Sequence, residues 1–138
     1  LKSYIGYGVA FAIILGGAYV YMDGTEVAGP RQLTALERVG DECGLIAEKA
    51  ASALPEALPF QKLEKAARQS RVLQTCMNDR GYRENPAWVA YAEPVAKKTA
   101  EQANISVNEA YETLRRNKMV TFYEPDAKTP LYWIISKP

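Results

Sequence analysis

The chain has no histidine, only two cysteines and no extended block of like charge in its 138 residues. Each absence excludes a class of chemistry. Without histidine, the commonest metal ligand, the commonest general base and the usual axial ligand of haem are missing. Neither C-x-x-C nor C-x-x-C-H occurs, which excludes thioredoxin-like redox chemistry and covalent c-type haem. A tetrahedral zinc site needs four ligands, and two cysteines without histidine do not make one. The 17 basic and 16 acidic residues nearly cancel and are mixed along the chain, so no tail is built for nucleic acid or acidic lipid.

Catalysis is hard to assemble from what remains. A nucleophile without histidine needs a Ser–Lys pair or a carboxylate dyad. Ser52, Ser70, Ser106 and Ser136 sit in helix or loop contexts, and Asp41, Glu42, Glu48 and Glu64 fall on outer helix faces. The sequence is therefore read as a non-enzyme with no metal, no cofactor and no small-molecule substrate.

What is present begins with Tyr4–Met22, nineteen residues without a charge, bounded by Lys2 and Asp23. As a helix it would cover about 28 Å, the thickness of a bilayer's hydrocarbon core. Tyr4 and Tyr7 at one end and Tyr19 and Tyr21 at the other suit the headgroup region. A cleaved signal peptide, cut near Gly16-Gly17-Ala18, is the competing reading. The expectation is a transmembrane anchor over residues 1–24 and a linker over 25–30. Gly8, Ala12 and Gly16 form a stripe of small residues on which transmembrane helices of other subunits could pack within membrane lipid. Lys2 precedes the run, while Asp23 and Glu26 follow it with no basic residue before Arg31. That bias places the N-terminus in the cytoplasm and the body in the periplasm of a bacterial inner membrane.

The body reads as mainly α. Leu33, Leu36, Val39, Cys43, Ile46, Ala50 and Leu54 recur at spacings of three and four, the stripe of an amphipathic helix. A prolyl break at Leu54–Pro59 precedes a second helix from about Phe60, with Leu63, Ala66, Ala67, Leu73, Cys76 and Met77 facing inward. Gly81 ends it as a C′ glycine with Tyr82 packing back. In such an antiparallel hairpin, Cys43 and Cys76 lie at similar distances from the break, so a disulfide can join them and would require an oxidising compartment. Residues 31–83 form this hairpin.

Residues 84–138 are expected to complete the same domain. Asn85-Pro86 opens a third helix with Trp88, Val89, Tyr91 and Ala92 on its apolar side, interrupted or restarted at Pro94. Ser106-Val-Asn-Glu109 is a capping box for a fourth helix over 107–117. Met119–Tyr123 and Leu131–Ile135 are β-branched and aromatic and read as a C-terminal β-hairpin. Its aromatics Phe122, Tyr123, Tyr132 and Trp133 fall on both faces, one of which is then free for a partner.

Two resemblances accompany this reading. Cys76-Met-Asn-Asp-Arg-Gly-Tyr82 resembles a run seen in small bacterial envelope proteins, where a cysteine and then Gly-aromatic close a helix. Ala96–Tyr132 resembles a winged helix-turn-helix, which implies that the helix after Ser106 enters a DNA major groove. It departs from that family at Asn104, where the turn usually has glycine, and at Thr99 and Thr113, which are normally apolar. Glu109 and Glu112 would repel phosphate near the start of that helix. The leading expectation is a non-catalytic accessory or scaffold subunit of an inner-membrane complex, binding other subunits and lipid but no nucleic acid. A membrane-anchored winged-helix regulator is the alternative.

Overall fold

Thr34 starts the first helix by a reciprocal cap. Its hydroxyl accepts from Glu37 N at 3.2 Å, and its own N–H donates to the Glu37 carboxylate at 2.7 Å. This satisfies two donors that a helix N-terminus otherwise leaves open. The computed structural model describes residues 31–136, and within them the helices are α1 (Ala35–Ala51), α2 (Pro59–Asp79), α3 (Pro86–Ala103) and α4 (Val107–Met119). Two short strands, β1 (Tyr82–Glu84) and β2 (Trp133–Ile135), pair antiparallel with Tyr82 opposite Ile135 and Glu84 opposite Trp133.

The hairpin of α1 and α2 is joined by a disulfide between Cys43 and Cys76, whose Cα atoms stand 5.6 Å apart. The buried face of α1 is built mostly from small side chains. Gly40, Cys43, Ala47 and Ala51 are buried on α1, whereas Ile46 is 47 % exposed and Leu33 equally so. The helical period is as expected but its phase is rotated. Small residues let neighbouring side chains approach α1 closely, as Phe122 does at Gly40. On α2 the buried residues are Leu73 and Met77, while Leu63 stays exposed.

Gly81 at φ +85° closes α2 as expected, because only glycine takes that conformation without a Cβ penalty. The chain then enters β1 directly. Asn85 accepts from Ala87 N at 3.1 Å and so caps α3, which runs through Pro94 without ending. Asn104 at φ 53° reverses the chain, and the Ser106 hydroxyl accepts from Glu109 N at 3.1 Å to start α4. Asparagine tolerates this left-handed position better than most residues.

Two expectations about fold class are corrected. The C-terminal β-hairpin of 119–123 with 131–135 does not form. Met119 is the last residue of α4, residues 120–132 are irregular, and β2 pairs with β1 from before α3. The β-branched composition of Val120–Tyr123 is overridden by packing, since Phe122 seats over Gly40 of α1, an instance of β-propensity yielding to context. Trp133 Nε1 donates to the Met119 carbonyl at 2.8 Å, tying β2 to the end of α4. Backbone bonds from Asn85 N to Tyr132 O and from Ser136 N to Gly81 O, both 2.7 Å, extend the two-stranded ladder at each end.

The second correction concerns the membrane. No helix among the described residues is long and apolar enough to cross one, so the described fold is a helical body with a two-stranded sheet. The run Tyr4–Met22, its Gly8–Ala12–Gly16 stripe and the linker over 25–30 lie outside the described residues.

Candidate functional site: a groove along the helical hairpin

On the inner side, α1 and α2 meet α3, α4 and the sheet in one core. Trp88 at its centre is fully buried and packs on Tyr111 and edge-on to Tyr132, with ring centroids 5.8 and 4.8 Å away. Trp133 packs edge-on to the other side of Tyr132 at 4.8 Å. Such tilted and edge contacts suit the ring quadrupoles. Tyr132 and Trp133, expected to face a partner, are 1 % and 3 % exposed and belong to this core. Phe122 is half-buried against it, and of the four Tyr123 is the exposed one, at 45 %.

A polar cluster closes that core at one end. The Tyr132 hydroxyl donates to Glu84 Oε2 at 2.8 Å and accepts from Arg115 at 3.4 Å. Arg115 also binds Glu112 at 3.1 Å. Burial, and then the Glu84 carboxylate, push Tyr132 up to about 12 against the lowering effect of Arg115. Burial also raises Tyr111, with Glu84 adding to it. For Arg115 burial works downward but the bonds to Tyr132 and Glu112 outweigh it, and its pKa lies above the ordinary value. Lys118 is held by Glu124 at 2.8 Å. A crevice of 170 Å³ lies between α2 and α4, lined by Ser70, Gln69 and Asn117 among others. Arg116 borders it with a buried Nε that has no hydrogen-bond partner among the described residues.

The outer side of the hairpin is open. Along the α1–α2 seam runs a groove of 690 Å³ with Ile46 and Val72 in its wall and Thr75, Asp79 and Arg80 towards one end. A second groove of 450 Å³ continues it towards the prolyl loop, past Ala50, Ala67 and Leu54 to Glu64. Arg68 and Arg71 border both. Arg80 is engaged across the hairpin by Glu42 at 2.7 Å. Arg68 and Arg71 have no hydrogen bond or ion pair among the described residues. Near the loop, Leu58, Phe60 and Leu63 are all at least half exposed.

One signal for this surface was present in the sequence. Glu64, Arg68, Arg71, Thr75 and Asp79 recur at spacings of four, three, four and four, so they share one face of α2. It reads as an ordinary solvated stripe until the structure places an apolar channel beside it. Among the described residues no group of three or more cysteines or carboxylates could hold a metal. Compared with known proteins, the chain matches no family model, no curated protein and no solved structure.

Proposed function

We propose that this chain is a non-catalytic accessory or scaffold subunit of a bacterial inner-membrane complex, its stapled helical body on the periplasmic side. The observation that carries the reading is the open groove on a hairpin held rigid by a disulfide. A preformed concave surface with an apolar wall and exposed arginines suits protein docking, since arginine is enriched at interfaces. The Cys43–Cys76 disulfide supports an oxidising compartment, since such bonds rarely persist in the cytosol. The uncharged run near the N-terminus is in keeping with export. Attachment to the complex would be made by contacts of the body with other subunits.

Against the DNA-binding alternative stand the side chains of α4. Arg115 is held by Glu112 and Tyr132, and Lys118 by Glu124, while Glu109 and Glu112 remain near the start of the helix that would enter the groove. Phosphate binding needs free cations on that surface.

Two measurements test the proposal. Thiol alkylation of freshly lysed cells should find Cys43 and Cys76 blocked until reductant is added; free thiols would rule out the exported body. Gentle solubilisation followed by native separation should show the protein migrating with other subunits. Migration as a lone species under every mild condition would sink the accessory role.

A further inference from the structure

We infer that the outer groove of the hairpin receives an amphipathic helix of a partner protein that carries two carboxylates about one turn apart at its centre. The inference rests on the docking role proposed above and names what docks. Arg68 and Arg71 stand one turn apart on α2, exposed, and unpaired among the described residues, where the two halves of the groove meet. Glu64 lies at one end of the groove and Asp79 at the other, and Arg80 is neutralised by Glu42. The surface is therefore positive in the middle and negative or neutral at its ends. A continuous polyanion would meet repulsion at both ends, whereas a segment acidic only at its centre is complementary throughout.

The shape argues for a helix rather than a strand. Both walls are helices whose backbone groups are already bonded, so the groove offers no free edge on which a strand could pair. A helix brings its own hydrogen bonds and packs its side chains against the ridges of α1 and α2. From Glu64 to Asp79 the groove follows α2 for about 23 Å, which accommodates a partner helix of about sixteen residues. Its apolar face would lie on Ile46, Val72 and Leu54, and its carboxylates would take the two guanidiniums. Arginine is suited to this, because its planar fork binds a carboxylate through two parallel hydrogen bonds.

The test uses the full chain with its disulfide intact and two synthetic amphipathic peptides of about sixteen residues. They share one leucine stripe and differ only at two central positions one turn apart, glutamate in one and lysine in the other. By fluorescence anisotropy, the glutamate peptide should bind about tenfold more tightly than the lysine peptide, a preference that weakens with salt. In the double variant Arg68→Glu, Arg71→Glu the order should invert. In Ile46→Asp binding of both should fall, with far-UV circular dichroism unchanged. Equal binding of the two peptides, an order that survives the charge reversal, or no binding of either overturns the inference. The peptide assay judges the groove alone. Co-migration of the wild-type protein with its native complex judges the accessory role, and a complex that retains the double variant overturns the groove while leaving that role standing.

Discussion

The Tyr132 hydroxyl donates a 2.8 Å hydrogen bond to Glu84, joining residues 48 positions apart in the sequence. Through it the end of β1 is tied to the residue before β2, and Arg115 of α4 completes the arrangement. One phenol thereby links β1, α4 and the segment leading into β2.

Replacing Tyr132 by phenylalanine keeps the ring between Trp88 and Trp133 but removes both bonds. At neutral pH the loss should be about 1 kcal/mol, less than for a fully buried charged pair because Glu84 reaches solvent. The folded protein holds this phenol up to about 12, above its ordinary value of 10.0. Its contribution is thus complete below pH 10 and is lost as the pH rises towards and through about 12. The stability gap between wild type and Tyr132→Phe should narrow over that interval. Urea midpoints for both proteins at about pH 8 and about pH 11 check this. A gap that widens with pH would contradict the assigned environment.

Two glycines of α1 should respond in opposite directions. A Cβ at Gly40 would collide with the Phe122 ring, whereas at Gly44 it would meet nothing within 4 Å. Gly44→Ala should stabilise by about 0.5–1 kcal/mol, because alanine is the better helix former. Gly40→Ala makes the same propensity gain, yet should destabilise by about 1–2 kcal/mol through overpacking. In Gly40→Ala, Phe122→Leu the cost of the pair should be smaller than the sum of the single costs. Thermal unfolding of the four variants is sufficient. Equal effects at the two glycines would mean that Phe122 does not seat on α1.

These glycines also show what was legible in the sequence and what was not. Helix periods, caps and the C′ glycine are local, and Asn85, Ser106 and Gly81 act where their types direct. The phase of α1 is not local. Ile46 and Leu33 are apolar and so suggest an inward face, but the buried face takes Gly40, Ala47 and Ala51, and at Gly40 it is Phe122 that lies over the helix. Strand pairing failed for a related reason. Tyr82–Glu84 carries no β-rich pattern and becomes a strand because β2 lies beside it. Tyr132 and Trp133, two of the four aromatics expected on a docking face, are needed as core, and the outer groove exists only once two helices lie in register. Arg68 and Arg71 could be placed on one face from spacing alone, but not beside a channel.

Asn85 combines two functions that substitution can separate. Its Oδ1 caps α3 by accepting from Ala87 N at 3.1 Å, while Nδ2 donates to the Leu131 carbonyl at 2.9 Å. Asn85→Asp retains the cap and removes the donor, so the Leu131 tie is lost. Asn85→Ala loses both. The expected cost is about 1 kcal/mol for aspartate and about 2 kcal/mol for alanine. Amide hydrogen exchange should locate the aspartate effect near Leu131 and Tyr132, leaving the first turn of α3 protected. Equal loss of protection in that turn for both variants would contradict the division.

The disulfide supplies the last prediction, and it bears on the proposed role. Cys43 and Cys76 are separated by 33 residues, so cross-linking them removes unfolded-state entropy worth about 3–4 kcal/mol. Cys43→Ala, Cys76→Ala should lower stability by that amount, and reductant should lower wild-type stability while leaving the variant unmoved. The loss should not be spread evenly. The seam of α1 consists of small residues that bury little area, and Phe122 is its contact from the far end of the chain. α3 and α4 are instead locked by Trp88, Tyr132 and the Met119–Trp133 bond. Protection of α1 amides should therefore collapse first on reduction, with α3 retained. Since α1 forms one wall of the groove, peptide binding should be lost on reduction before global unfolding. A body that keeps both its α1 protection and its groove after reduction would show that the staple is dispensable for docking.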